Sequence, residues 1–217
     1  MRTSVVAIGL ALVCAMTATA TDYPQYEVFT GYSFVRFNAN SPFVPSANFN
    51  GGTGQFVYNV NKWLGAEVDA GAVTKGLLNG FNIDTTVANI NAGPRVTFGS
   101  WHSRVRPFVH VLFGGSYTTA SAQIFSDVPI NPIFPPGFTP NENAPISTRL
   151  VASNWGFSML AGGGVDIKMS KHVYFRPIGA DYYLTRFPNN LFGSGNTTNR
   201  NNFRYTAGLN FTWGEPR

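Results

Sequence analysis

The sequence is poor in charged residues and nearly free of cysteine. Of its 217 residues 12% are charged, against about 25% in an ordinary soluble domain, whereas 15% are aromatic. The one cysteine, Cys14, lies in an apolar N-terminal run, so the rest of the chain has no disulfide, thiol nucleophile or thiolate metal site. After this run no stretch reaches about 18 consecutive apolar residues, which excludes a membrane-spanning helix. The positive charges are scattered, without the clusters that bind nucleic acid.

The N-terminus has the pattern of a secretory signal peptide. Arg2 precedes an apolar run from about Val5 to Met16, and Ala18 and Ala20 form an A-x-A cleavage site. The run is too short for a spanning helix. We therefore predict that residues 1–20 are removed and that residues 21–217 form a single exported domain without nucleic-acid partners.

The rest of the chain alternates apolar and polar residues with a period of two, and Gly, Asn and Pro interrupt the pattern as they do in all-β proteins. Trp155, Phe157 and Met159, for example, alternate with Gly156 and Ser158. Eight strands are predicted, at about 25–37, 50–60, 63–74, 86–98, 104–117, 153–168, 173–186 and 202–213.

The predicted connections alternate in length. Those after the second, fourth and sixth strands are tight turns, and the others are about a dozen residues or longer, as in outer-membrane barrels with short periplasmic turns and long extracellular loops. An even number of strands puts both chain ends beside the tight turns. The loops that we expect to hold any specificity for surface partners are 38–50, 75–85, 118–152 and 187–201.

Two kinds of barrel fit eight alternating strands in an exported protein. A soluble barrel has an apolar interior, whereas a membrane barrel has a polar interior and an apolar outer band. Phe, Tyr and Trp concentrate near the strand ends of the apolar face with aliphatic residues between them, as in a lipid-facing band between aromatic girdles. We therefore predict an all-β fold, an eight-stranded antiparallel up-and-down transmembrane β-barrel.

The polar face of the predicted strands carries charged side chains at mid-strand. Because an unpaired charge in a narrow lumen is strongly unfavourable, we predict a network of charge pairs that closes the lumen. The predicted members are Glu27, Glu67, Asp69, Arg95, Arg106, His110, Asp166, Lys168 and Arg204. The expected pairs set Glu67 and Asp69 against Arg95 and Arg106, which come from neighbouring strands. Arg176 and Asp181 differ in parity, so either one of them leaves the lumen face or their strand contains a bulge.

Groups suited to catalysis are few. His110 is predicted near Arg106 and a carboxylate, where a histidine serves as a general base or, more commonly, as a member of a structural polar network. His102 and His172 fall in predicted turns, and the three histidines lack the spacing of a metal site. No G-x-S-x-G or P-loop motif occurs. We predict no catalytic residue, no cofactor and no metal.

Several segments resemble the OmpA-like outer-membrane β-barrel family. They are EVFTGYSFVRF, YNVNKWLGAEVDAG, RVRPFVHVLFGG, GFSMLAGGGVDIKMSKHVYFRPIGADYYLTRF and the last strand. The resemblance covers residues 25–213 and is most specific at GGGVD and DYYLT. It implies an eight-stranded barrel in the outer membrane of a Gram-negative bacterium, with a structural, adhesive or porin-like narrow-channel role, and most members are not enzymes.

The last strand also resembles the signal that the outer-membrane insertion machinery recognises. Thr206, Gly208, Phe211 and Trp213 fit its pattern of a polar residue, a spaced Gly and two alternating large hydrophobic residues. The usual signal ends the chain on an aromatic residue, whereas GEPR follows here. Many family members continue into a peptidoglycan-binding domain, and we expect no such periplasmic domain here.

The expected function is that of an integral outer-membrane barrel of structural or surface-interaction type, with a lumen closed by charge pairs. The alternatives are a narrow, weakly selective pore and, less favoured, a lipid-modifying outer-membrane enzyme. The expected partners are outer-membrane lipid and lipopolysaccharide, the insertion machinery during assembly, and surface molecules that bind the loops.

Overall fold

The protein folds into eight strands that follow one another around a closed barrel. The computed structural model describes residues 23–38, 46–76, 83–126, 146–188 and 197–214. The strands are β1 (Tyr26–Phe37), β2 (Ala47–Asn59), β3 (Leu64–Lys75), β4 (Ile83–Thr97), β5 (Val105–Ser126), β6 (Ile146–Lys168), β7 (Val173–Pro188) and β8 (Thr197–Trp213). The predicted fold class and number of strands are confirmed. The predicted signal peptide, with Ala18 and Ala20, lies outside the described residues.

Closure of the barrel depends on the pairing of the first and last strands. β1 and β8 are antiparallel neighbours, in register from Tyr26 opposite Trp213 to Arg36 opposite Phe203. Each strand therefore has a partner on both sides. This arrangement satisfies the backbone N–H and C=O groups that a sheet edge would otherwise expose to lipid.

We name the two ends of the barrel by their connections. The turn end carries Gln25, Trp213 and the short links β2–β3, β4–β5 and β6–β7, and the loop end is the opposite one. At the turn end, the Tyr26 ring contacts Phe56, Tyr58 and Trp213, with ring centroids 5.7 to 6.3 Å apart. These rings form part of an aromatic girdle around the outside.

The strands extend further toward the loop end than predicted. β2 begins at Ala47, and β5 and β6 pair as far as Ser126 opposite Ile146. The predicted loop boundaries 38–50, 75–85, 118–152 and 187–201 are therefore wrong, since each range includes strand residues. Polar residues interrupt these extensions, so apolar alternation is weak there, although backbone pairing does not require it.

The two faces of the sheet differ in exposure. Large apolar side chains such as Ile90, Phe113 and Leu209 point outward. The exposed fractions of the large apolar side chains on the surface range from 38% to 66%. Their neighbours along the strands point into the lumen and are buried or half-buried. This is the inverse of a soluble barrel and matches a lipid-facing exterior. No helix within the described ranges is long and apolar enough to cross a membrane.

A bulge in β7 decides the orientation of two charged residues. Arg176 and Gly179 are three positions apart, whereas their partners on β8 are two positions apart. Pro177 lies in the bulge, where a residue without an N–H does not interrupt the ladder. Its carbonyl accepts a hydrogen bond from the Tyr205 hydroxyl at 2.6 Å. The extra residue turns both Arg176 and Asp181 toward the lumen, so of the two predicted alternatives the bulge is the correct one.

Candidate functional site

The lumen holds a group of ionisable side chains that are almost completely shielded from solvent. Those that were expected there and are at most 4% exposed are Glu27, Glu67, Asp69, Arg95, Arg106, His110, Asp166 and Arg204. Arg176 and Asp181, which the bulge brings inward, join them. Lys168 does not, because it lies at the turn end, donates from Nζ to the Trp101 carbonyl at 3.4 Å and forms no ion pair within the described part of the chain.

The first cluster is built around Asp166 on β6. Arg176 donates from Nε to Asp166 Oδ1 at 2.7 Å, and Arg95 donates from Nη2 to Oδ2 at 3.0 Å. Glu27 lies beside this carboxylate and accepts from Arg106 Nη2 at 3.4 Å. Arg95 Nη2 is also 3.9 Å from Glu27 Oε2. The first cluster thus contains three arginines and two carboxylates.

The second cluster connects β3, β5, β7 and β8 across the lumen. Arg204 donates from Nη1 and Nη2 to the two oxygens of Asp69 at 2.8 and 3.0 Å, and from Nε to Asp181 Oδ2 at 2.8 Å. His110 lies between two carboxylates, with Nδ1 3.0 Å from Glu67 Oε2 and Nε2 2.9 Å from Asp181 Oδ1. This cluster contains three carboxylates, one arginine and one histidine.

Neutral amides join the clusters and add hydrogen bonds to them. Gln55 donates from Nε2 to Asp69 at 3.0 Å, and its Oε1 accepts from Arg176 Nη1 at 2.6 Å. Asn210 donates to Glu27 Oε2 at 2.6 Å. Sequence reasoning did not select these amides, although both lie on the polar face of an alternating strand, which was the available signal.

The pairs expected between neighbouring strands are largely wrong. Asp69 pairs with Arg204, and Glu67 approaches Arg95 only to 3.9 Å while contacting His110 at 3.0 Å. The physical reason is the narrowness of the lumen. A long side chain that points inward can therefore reach strands across the lumen as well as its neighbours, as Arg204 reaches Asp69 on β3 and Asp181 on the adjacent β7.

Trp101 closes the turn end of the lumen. It belongs to the link between β4 and β5 and is 7% exposed. Its indole N–H donates to the Lys62 carbonyl at 3.1 Å, and its own carbonyl accepts from the Tyr174 hydroxyl at 3.2 Å. The Arg106 guanidinium lies 3.8 Å from the ring centroids of both Trp101 and Tyr174, which is cation–π geometry. Sequence reasoning missed this residue because it interpreted the segment as an ordinary turn.

An apolar cluster fills the loop half of the lumen. Leu112 and Leu160 are fully buried there. The cluster consists of Val35, Phe37, Ala47, Phe49, Val73, Val87, Leu112, Leu160 and Tyr183. The described lumen is therefore occupied from the loop half to the turn end by apolar packing, then paired charges, then an aromatic residue.

Comparison with known families identifies the chain. The family described as outer membrane protein beta-barrel domain matches residues 5–211. The chain belongs to this family. It is therefore an outer-membrane β-barrel protein, a class in which the short turns lie at the periplasmic end. No curated protein matches the sequence.

Similar solved structures show the same fold at low identity. The attachment invasion locus protein Ail of Yersinia pestis is 14% identical with a TM-score of 0.54, and the alignment covers 87% of this chain and 99% of Ail. Neisserial surface protein A is 15% identical with a TM-score of 0.54, and the alignment covers 87% of this chain and 97% of that protein. Identities this low show the fold alone.

The residues expected to form the insertion signal divide between the two faces of β8. Thr206 is buried in the lumen and Gly208 lies on the same inward side. Phe211 and Trp213 point outward and are 38% and 44% exposed. In an outer-membrane barrel this outward pair faces lipid near the periplasmic interface.

Proposed function

We propose that this chain is an outer-membrane barrel of structural or surface-interaction type whose lumen is closed by paired charges. The observation that carries the proposal is the continuous filling of the lumen. The ten ionisable side chains of the two clusters are at most 4% exposed, and packed side chains lie beyond them toward both ends. A barrel of this size leaves an interior just wide enough for side chains, so a filled lumen acts as a core and not as a channel.

The hydrogen bonding of the charges supports a structural role. Each arginine of the clusters has a carboxylate oxygen within 3.4 Å. Burial of charged groups is tolerated only when they are paired and bonded in this way. A side chain in such a network is held in place, whereas a conducting pore needs charged groups that remain hydrated and exchange partners with passing ions.

A surface role is supported by the shape of the loop end. β5 and β6 remain paired up to Ser126 opposite Ile146, whereas the pairing of β6 with β7 begins only at Phe157 opposite Arg186. The β5–β6 hairpin therefore projects beyond its neighbour on the loop side, which faces the outside of the cell in this family. Ail is named as an attachment and invasion protein. As part of the proposal, the loop end of this chain would likewise bind surface molecules. Lipopolysaccharide is the nearest such partner.

The geometry offers little support for catalysis. His110 is 4% exposed and both of its ring nitrogens are engaged by carboxylates, so it has no access to a substrate in the membrane or the medium. We therefore include the absence of enzymatic activity in the proposal.

Processing and assembly form a further part of the proposal. Cleavage after Ala20 would leave residues 21–217, which contain the barrel domain. The insertion machinery would then recognise β8 through Thr206, Gly208, Phe211 and Trp213. The outward aromatic pair of that strand and its unbroken register with β1 support this role.

Planar-bilayer recording tests the closed lumen. The purified barrel should insert without steady channel openings, and neither Glu67→Gln nor Arg95→Gln should produce them. Steady openings of the parent protein whose selectivity shifts with these two variants would establish the narrow pore instead. Heat-modifiable migration of the outer-membrane fraction on SDS gels verifies that the protein recorded is the folded barrel.

A further inference from the structure

When both neighbouring carboxylates are ionised, the two contacts of His110 require a proton on each ring nitrogen. Nδ1 is 3.0 Å from Glu67 Oε2, and Nε2 is 2.9 Å from Asp181 Oδ1. A neutral imidazole has one N–H donor and one lone pair, whereas an ionised carboxylate only accepts. A neutral ring would therefore set a lone pair against an anionic oxygen at hydrogen-bond distance. Only the imidazolium donates to both carboxylates at once.

The balance of charges in the lumen also indicates that His110 is doubly protonated. The two clusters contain five carboxylates, Glu27, Glu67, Asp69, Asp166 and Asp181, and four arginines, Arg95, Arg106, Arg176 and Arg204. With a neutral histidine, this described network would hold one uncompensated negative charge in a site shielded from water. A doubly protonated His110 supplies the fifth positive charge.

The neighbouring arginines are already engaged elsewhere. Arg95 on β4 is opposite His110 in the sheet, but its closest carboxylate is that of Asp166, and it approaches Glu67 only to 3.9 Å. Arg204 on β8 uses one bond for Asp181 and two for Asp69. This leaves His110 as the group in closest contact with the Glu67 carboxylate.

The remaining strands around His110 add no other charge to this site. On β5 itself the nearest inward cation is Arg106, which is directed to Glu27 and to the aromatic rings at the turn end. On β6 the residue opposite His110 is Gly162. On β3, Asp69 lies two positions from Glu67 and is held by Arg204. The charges that directly contact His110 are thus those of Glu67 and Asp181.

We propose that Glu67, His110 and Asp181 form a proton-binding site, in which the doubly protonated ring completes the charge balance that keeps the lumen closed. The ligand is one proton, held between two carboxylates inside the barrel. When alkaline conditions remove it, two carboxylates share one N–H, and their repulsion loosens the second cluster. This inference concerns the interior alone and does not depend on any surface role of the barrel.

The direct test is the ¹⁵N spectrum of the imidazole ring in the folded barrel. His102→Gln and His172→Gln, both at exposed turns, leave His110 as the single histidine to be labelled. At neutral pH both ring nitrogens should give the signal of a protonated nitrogen. One of them should lose its proton only under alkaline conditions, and the resistance of the barrel to urea should fall over the same range. A ring with one unprotonated nitrogen at neutral pH would overturn the proposal.

A matched pair of variants separates the effect of the proton-binding site from the effect of the total charge in the lumen. Glu67→Gln removes one charge with little change of shape, and its amide can donate to Nδ1, so the ring should become neutral at neutral pH. Glu27→Gln removes the same charge in the first cluster, without contact with His110, and should leave the ring doubly protonated. An unchanged ring in Glu67→Gln, or equal proton loss in both variants, would overturn the proposal.

Discussion

Arg204 and Asp69 form a two-point ion pair across the lumen, although their strands β8 and β3 are not neighbours in the barrel. The N–O distances are 2.8 and 3.0 Å, and both side chains are at most 1% exposed. A bidentate pair of this kind is a strong and directional contact. It ties opposite walls together at mid-lumen, which the backbone ladder of a barrel does not do.

Asp69→Asn should destabilise the barrel because it leaves Arg204 with a weaker partner inside the lumen. Breaking a buried pair in this way costs about 3–5 kcal/mol of the free energy of unfolding. Urea titration of the folded protein in vesicles, read by loss of the heat-modifiable band, measures the change.

Two further variants sharpen this prediction. Asp84→Asn makes the same chemical change at an exposed site on β4 and should stay within about 0.5 kcal/mol of the parent protein. Asp69→Asn combined with Arg204→Gln should cost less than the sum of the two single changes, since both remove the same contact. Strict additivity would contradict the cross-lumen pair.

Trp101→Ala should weaken the barrel without turning it into a channel. The change removes the ring that packs on Arg106 and leaves a cavity at the turn end, for which about 3–5 kcal/mol is typical. The apolar cluster around Leu112 and Leu160 still closes the loop half, so planar bilayers should show no steady conductance.

Trp101→Phe is the matched control. It keeps an aromatic ring against Arg106 and loses the N–H bond to the Lys62 carbonyl, worth about 1 kcal/mol. Steady channels formed by Trp101→Ala would show that this single residue is the barrier and that the rest of the lumen is not sealed.

Gly162→Ala should be destabilising because the lumen wall has no room for the added methyl group. A Cβ at position 162 would collide with the Ala180 carbonyl oxygen and lie 2.7 Å from the Asp181 Cα. Overpacking against backbone of this kind costs about 1–3 kcal/mol. The free energy of unfolding in urea is the measurement.

Gly54→Ala, at an outward-facing glycine on β2, is the matched control. Its Cβ would lie 3.7 Å from the Phe29 carbonyl oxygen, an ordinary contact, so stability should change by no more than about 0.5 kcal/mol. Equal tolerance of the two alanines would contradict the lack of room for a methyl group at position 162.

Phe211→Asp and Trp213→Asp, made together, should abolish insertion into the outer membrane. Both side chains point outward, so each aspartate would face lipid and remove part of the aromatic surface by which we expect β8 to be recognised. Thr212→Asp should be milder in its effect on insertion because this side chain points away from lipid and leaves the outward aromatic surface intact. The amount of heat-modifiable barrel in the outer-membrane fraction decides between these outcomes. A deficit in Thr212→Asp as large as that of the double change would contradict a specific role of the outward pair Phe211 and Trp213 in insertion.

The alternation of residues was sufficient to predict the eight strands and the direction of most side chains. A strand has a period of two, so once one residue faces lipid the orientation of its neighbours follows. This is why Glu67 and Asp69 were assigned correctly to the same face as Gly65. Strand ends were predicted less well, because Thr118 to Ser126 pair through their backbone in a segment where apolar alternation is weak.

The β7 bulge shows where a local signal existed without being decisive. Arg176 and Asp181 could not share a face in a regular strand, and Pro177 between them has no N–H to donate, which is tolerated at a bulge. The sequence left two explanations open. The register with both neighbouring strands selects the bulge.

Sequence by itself determined that this is an eight-stranded barrel with an apolar outside and a charged inside, because both properties follow from local periodicity. Only the tertiary structure decided which charges meet. Arg204 reaches Asp69, and His110 reaches both Glu67 and Asp181, because the diameter and closure of the barrel bring distant strands within one side-chain length. The closed barrel also places Trp101 inside the turn end of the lumen. These contacts depend on distances across the lumen, which no pattern along a single strand contains.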